Sequence, residues 1–244
     1  MAELILTDAK IYAGGFDLSG DHNQVALAIA YEDKDVTRFG ATGKGRRAGL
    51  GEMSLSGGGI VNAGADLQDD RHFADLGVFQ RIMTVAAVGD LGDKASTFRG
   101  VQLEYNPVDA PVGDEHSFTI SAKSSGLFLP SATVLHDRET AETTTGNETG
   151  QQVGQILSGE NGYAALHVLA VSGTSPTLDV VVESDDAVGF PSPTTRFTFA
   201  QATAVGSEFS TAIAGPITDD WWRVAFTITG TTPSFTFVVT FGIK

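Results

Sequence analysis

Cysteine is absent from all 244 residues. Its absence excludes a disulfide framework, a thiolate metal site and a cysteine nucleophile. Positive charge is scarce, with 15 Lys and Arg against 30 Asp and Glu and a formal net charge of −15. A surface with that field repels nucleic-acid phosphates, so ordinary DNA binding is not expected. No apolar run approaches the roughly 20 residues of a membrane-spanning helix. The start, MAELILTDAKIY, is charged and alternating rather than basic and then apolar, so a signal peptide is not expected and the chain reads as soluble.

Hydrophobic residues make up 41% of the chain, enough for one large or two modest domains with cores of their own. Gly, Thr and Ser are abundant, and apolar residues mostly alternate with period two. That pattern predicts an all-β fold of sandwich or barrel type. Strands are expected at Leu4–Tyr12, Gln24–Glu32, Glu52–Asn62, Ile82–Val88, Phe98–Asn106, His116–Lys123 and Ser131–His136. One short helix is expected within 66–80, where Leu67, Phe73, Leu76 and Phe79 form a partial apolar stripe behind an acidic first turn. The run DRETAETTTGNETG, 137–150, is polar and without apolar anchors. It predicts a linker at 141–150 between a domain over 1–140 and a second β-sandwich, Ig-like or jelly-roll, over 151–244.

The second region contains one phrase written twice. HVLAVSG leads into TSPTLDVVVES at 174–184, and VAFTITG leads into TTPSFTFVVTF at 231–241. Both halves of each copy alternate, and Gly and Pro stand between them. Turn chemistry of that kind predicts two β-hairpins built the same way, with Phe226 and Phe237 facing the core.

Enzymatic constellations fail on inspection. GATGKGRRAG, 40–49, invites a phosphate-loop reading, but Arg38 stands where the first Gly belongs and Gly45 replaces the magnesium-holding hydroxyl. His22, His72, His116, His136 and His167 are scattered, with no pair at metal spacing, so no metal or cofactor site is expected. VGDEHS, 112–117, sets acids beside a histidine without a nucleophile motif. Asp185-Asp186 and Asp219-Asp220 lack the spaced oxygen ligands of a calcium loop. Trp221-Trp222 would place one ring on each face of a strand, one in the core and the other as an interface anchor or ligand platform. The remaining feature is electrostatic. Arg38, Lys44, Arg46 and Arg47, four of the fifteen bases, fall in a Gly-rich segment between Val36 and Leu50. A flexible basic loop on a strongly acidic protein has another copy of the same protein as its natural partner.

The run FDLSGDHNQVALAIAYEDKDVTRFGATGKGRRAGLGEMSLSGGGIV, 16–61, resembles the N-terminal half of the tail tube (major tail) proteins of long-tailed phages and related viruses. The resemblance rests on Asp17–Gly20, the strand Gln24–Glu32, Thr37–Gly40, the bases Lys44–Arg47, Gly49-Leu50 and the strand Met53–Ile60. APVGDEHSFTISAKSSG, 110–126, is similar to a later strand of that family, and the C-terminal phrases resemble its accessory β-sandwich domains. The resemblance implies a non-enzymatic virion subunit forming rings, commonly sixfold, stacked into a tube with other tail proteins such as the tape measure. It also implies that the loop Val36–Gly51 reaches the neighbouring ring, and that DNA passes through the lumen without specific binding. Two other classes share the same composition: a capsid decoration or cement protein with trimeric assembly, and a carbohydrate-binding adhesion module using Trp221 or Trp222.

Overall fold

A computed structural model describes residues 6, 8–62, 64, 67–108, 110–137 and 139–244. In chain order the elements are β1 (Lys10–Ala13), β2 (Phe16–Asp17), β3 (His22–Asp35), β4 (Arg46–Ile60), α1 (Gln68–Asp75), β5 (Arg81–Ala86), β6 (Lys94–Asn106) and β7 (Ser117–His136). They continue with β8 (Gly146–Asn147), β9 (Gln151–Gln152), β10 (Asn161–Asp185), β11 (Thr194–Thr198), β12 (Gly206–Phe209), β13 (Ile213–Ala214) and β14 (Trp221–Ile243). Among the described residues the fold is all-β with one short α-helix and a 3-10 turn at Ser19–Asp21. The expected strands at 116–123 and 131–136 are one long strand, β7, and of the expected first strand residues 4, 5 and 7 lie outside the described residues.

The chain forms two compact units that are interleaved in sequence rather than divided at 141–150. One comprises the described residues of 1–20, 82–97 and 129–244, and the other those of 21–81 and 98–128. The 137–150 segment is also not a free linker. Glu142 exchanges both backbone hydrogen bonds with Phe235, Gly146 and Asn147 pair with Phe226 and Ala225, and the Glu148 amide donates to the Val224 carbonyl at 2.9 Å. Its side chains are polar, but its backbone groups have partners on β14, which composition alone does not reveal.

In the larger unit β10 and β14 pair with each other along their whole length, from Gly162↔Ile243 through Ser172↔Ser234 and Thr177↔Thr229 to Asp185↔Trp221. The two copies of the repeated phrase are therefore not two hairpins. They are the two strands of one antiparallel ribbon, related by an approximate twofold at its centre. The ribbon folds over there: on β14 alone, Phe226 packs edge-on against Phe237 at 5.4 Å and Trp222 stacks on Phe241 at 4.1 Å. Each phrase turns a corner from one layer of a sandwich into the other, and the register shifts at the corner. Gly173 and Gly230 occupy φ +114° and +126°, and Ser175 and Thr232 both sit at φ 48°. Gly-Pro chemistry cannot distinguish a hairpin, whose arms hydrogen-bond to each other, from a corner, whose arms stack through side chains.

Between these layers lies the main core, where Leu166, Val168, Leu178, Val180, Val182, Phe197, Trp222, Val224, Phe226, Phe235, Phe237 and Phe241 are all buried. A polar chain is also enclosed in this unit. Thr240 Oγ1 lies 3.0 Å from Thr97 Oγ1, which lies 3.0 Å from Thr84 Oγ1, which lies 2.9 Å from His167 Nε2. All four residues are buried, so each hydroxyl depends on the next for its hydrogen bond.

The smaller unit contains β3, β4, α1 and the adjoining parts of β6 and β7. Residues 54–60 of β4 pair with residues 117–123 of β7 in reverse order, while β3 pairs with β4. Tyr105, Phe118 and Ile120 form its small core, with Val61 against them. The helix is shorter than expected and turned the opposite way. Its buried side carries Gln68, His72 and Asp75, while Leu67, Phe73, Leu76 and Phe79 are exposed. The polar side is held inward by specific partners. His72 Nδ1 donates to Gln102 Oε1 at 3.1 Å, Gln102 Nε2 donates to the His72 carbonyl, Asp75 pairs with Arg81, and the Tyr105 hydroxyl donates to Asp69. Periodicity marks an apolar stripe on a helix, but not which way the stripe faces.

Candidate assembly surface

The segment expected to be a flexible basic loop is the tip of a long two-stranded ribbon. β3 and β4 pair from His22↔Gly59 to Asp35↔Arg46, with register shifts between His22 and Gln24 and between Tyr31 and Asp33. Arg46 and Arg47 lie on β4 opposite Asp35 and Lys34, so only 36–45 is loop, and even that is closed by Val36 N to Gly45 O at 2.9 Å and Gly45 N to Thr37 Oγ1 at 2.9 Å. The sequence placed Arg46 and Arg47 in the loop because the Gly residues flanking them read as loop composition. Cross-strand pairing overrides that composition.

β7 supports β4 only from Ser54 onward, so the outer half of the ribbon has two strands and no third among the described residues. Among the described residues β3 pairs with no strand but β4, so its other edge is open. Apolar side chains on this ribbon face solvent: Ile29 is 43% exposed, Tyr31 56%, Leu50 79%, and Phe39 fully. Tyr31 gains some cover from Phe128, whose ring lies 6.4 Å away. An isolated two-stranded hairpin is marginal in water, and a long open apolar edge is a template for pairing with another chain. The exposed Phe73 on α1 and Phe79 just after it add further exposed apolar surface in the same unit.

The charge at the tip is mixed rather than purely basic. Arg46 pairs with Asp33, and Lys34 Nζ sits 2.5 Å from Glu32. Lys34 beside Glu32 holds its carboxyl below the usual range, and hydrogen bonds from Thr37 do the same for Asp35. Arg38, Lys44 and Arg47 are exposed. The tip thus offers both signs on an otherwise acidic protein.

The tryptophan pair splits as alternation requires. Trp222 is fully buried, and its Nε1 donates to the Gly154 carbonyl at 2.8 Å. It belongs to the core and is closed to any ligand. Trp221 is half-buried on the other face, paired with Asp185 and Gln152.

The scattered histidines are brought into groups that spacing did not show. In the smaller unit the rings of His22 and His72 lie 5.5 Å apart, and both touch Phe118. In the larger unit His136 meets Glu142 and Glu148, two acids from the segment expected to be a linker.

No protein-family model and no curated sequence matches the chain. Among solved structures it is similar to a chain in the virion of a native gene transfer agent particle, at 20% identity and TM-score 0.38, covering 50% of this chain and 93% of that one. A chain from the tail of the empty gene transfer agent particle, determined with C6 symmetry, gives 19% identity and TM-score 0.38 over 50% and 93%. The Dit protein of phage SPP1, described as a paradigm of the hub adsorption apparatus in phages of Gram-positive hosts, gives 13% identity and TM-score 0.37 over 98% and 100%. TM-scores of this size do not establish a shared fold.

Proposed function

We propose that this chain is a virion structural protein of a viral tail that assembles through its β3–β4 ribbon into stacked rings of a hollow tube. The observation that carries the proposal is the open, two-stranded ribbon with apolar side chains exposed along it and bases at its tip. Pairing the β3 edge with a neighbouring copy would satisfy its backbone and bring cover to Ile29 and Tyr31, which share one face of the ribbon. Closing a ring in that way removes the edge altogether. The likeness of 16–61 to tail tube proteins points to the same segment.

The bases of the tip would then meet acidic faces of the next ring. Exposed ion pairs are worth only about 0–1 kcal/mol each. Repeated around every ring, several such pairs would decide whether rings stack. A lumen lined by a protein of net charge −15 would let a DNA genome slide through without adhesion.

Electron microscopy of the purified full-length protein tests this directly, with rings or tubes as the expected products. Ile29→Lys is expected to abolish them while leaving the far-ultraviolet circular dichroism unchanged, since the side chain is already exposed. Arg38→Glu/Lys44→Glu and Arg46→Glu/Arg47→Glu are expected to leave single rings that no longer stack. Normal tubes from all three variants would remove the ribbon from assembly. A wild-type protein that stops at one ring would be a terminal component rather than the tube, and one that associates only with capsids would be a decoration protein.

A further inference from the structure

The larger unit contains a nitrogen–oxygen cluster outside the β3–β4 ribbon. His136 is the last residue of β7, and its side chain is 1% exposed. Its ring stacks on Phe237 at 3.8 Å and meets Phe226 edge-on at 5.5 Å, which fixes its plane. Nδ1 lies 3.0 Å from the Phe237 carbonyl oxygen. A carbonyl can only accept, so Nδ1 carries the proton and the neutral ring presents the lone pair of Nε2 on its other side. That nitrogen is buried and has no hydrogen-bond partner among the described residues.

Nε2 points at two carboxylates. Glu148 Oε1 lies 3.4 Å away and Glu142 Oε1 lies 3.9 Å away. Neither distance is that of a charge-assisted hydrogen bond, which runs about 2.7–2.9 Å. The Glu148 distance matches the separation of two ligands on one tetrahedral ion, about 3.3–3.4 Å for bonds of about 2.0–2.1 Å, and the Glu142 distance exceeds it by about 0.5 Å, within reach of a small side-chain rotation. A lone pair facing two carboxylate oxygens is repulsive unless a metal ion or a proton lies between them. The backbones that carry the three donors are also held independently of any ion. His136 pairs with Val239, Glu142 exchanges backbone hydrogen bonds with Phe235, and the Glu148 amide is bonded to Val224. An imidazole whose far nitrogen donates to a backbone carbonyl is the arrangement that orients metal-ligating histidines.

We propose that His136, Glu142 and Glu148 form a three-ligand site for a divalent first-row transition metal ion of the zinc class. The donor set of one imidazole and two carboxylates suits zinc, manganese, iron or cobalt better than magnesium, which takes oxygen ligands in an octahedron. Three protein ligands leave a fourth position for water. The ion ties residues 142–148 to the end of β7 across β14. It acts as a clasp on the corner-folded ribbon.

The test uses full-length protein stripped with a chelator and titrated with zinc ion alone, followed by calorimetry and thermal melting. One equivalent is expected to bind saturably and raise the melting temperature, with magnesium ion having no such effect at equal concentration. Cobalt ion in place of zinc is expected to give the intense visible bands of a four-coordinate site. Because His136 is packed in the core and its replacement endangers folding, the variants are Glu142→Gln and Glu148→Gln, which keep shape and backbone bonding. Each is expected to weaken zinc binding at least about tenfold. Absence of saturable zinc binding by the wild type would overturn the proposal, as would binding unchanged in the double variant or matched by magnesium. A double variant that melts higher without metal, beside a wild type indifferent to zinc, would also overturn it, showing that a proton serves instead.

Discussion

Trp222 stacks on Phe241 with ring centroids 4.1 Å apart, although both belong to β14. A single strand can face itself in this way only by turning a corner, so the contact defines the larger unit as a ribbon folded into two layers. The core rings should therefore carry much of its stability. Phe226→Ala and Phe237→Ala are each expected to cost about 3–5 kcal/mol in urea denaturation, because both rings are buried against each other. Thr227, exposed on the opposite face, should accept Ala with a change within about 0.5 kcal/mol. Equal losses at all three positions would refute the two-layer packing.

The corners have their own requirement. A Cβ on Gly173 would lie 2.7 Å from the Thr232 carbonyl oxygen, and one on Gly230 would lie 2.9 Å from the Pro176 Cα. Both glycines sit at positive φ. Gly173→Ala and Gly230→Ala should each destabilise by about 1–3 kcal/mol, and to a similar extent because the corners match. Thr232, a β-branched residue at φ 48°, is the converse case. Thr232→Gly is expected to be neutral or stabilising, and a clear loss of stability there would show that the threonine side chain holds the corner.

Residues 151–244 rely on partners outside that range. Val239 and Thr240 pair with β7, Thr240 shares a hydrogen bond with Thr97, and His167 with Thr84. The excised segment should melt well below the full chain or fail to fold. Beginning the segment at Leu129, which restores the β7 pairing, should recover part of the loss. Identical melting of the 151–244 segment and the full chain would show that these contacts are dispensable.

Buried histidines set a pH dependence, His167 and His72 among them. Burial pushes the imidazole of His167 down to about 3 and that of His72 down to about 4, against an ordinary value of about 6.5. The unfolded chain therefore takes up protons that the folded chain refuses. The stability from these neutral rings is fully present above about pH 6.5 and is lost as pH falls toward 4, by up to about 1.4 kcal/mol per pH unit per histidine. Burial raises the carboxyl of Asp75 despite Arg81, so below its folded value that group works in the opposite direction. Urea midpoints at pH 7, 6 and 5 should fall in that order, and midpoints rising toward pH 5 would mean the rings are not held neutral.

Much of this was legible in the chain. Alternation gave the all-β class and the long strands β3 to β7, β10 and β14, though not the short β2, β8, β9, β11, β12 and β13. It also gave the inward face of Phe226 and Phe237 and the split of Trp221 from Trp222, because a period of two assigns faces without knowledge of the partner. Charge counting singled out Arg38, Lys44, Arg46 and Arg47, and the structure puts them at the tip of an exposed ribbon.

What the sequence could not determine was always a question of partner. The doubled phrase specifies a corner or a hairpin equally well until Gly162 is seen opposite Ile243, since only the long-range ladder says whether the arms bond or stack. The stripe Leu67–Phe73–Leu76 is apolar in either orientation, and it faces outward because Gln102 and Arg81 offer polar partners on the inner side. His136, Glu142 and Glu148 have no recognisable spacing as letters. Tertiary structure alone brings them together, because β14 bonds to the backbone around each of them and so fixes three side chains around one point.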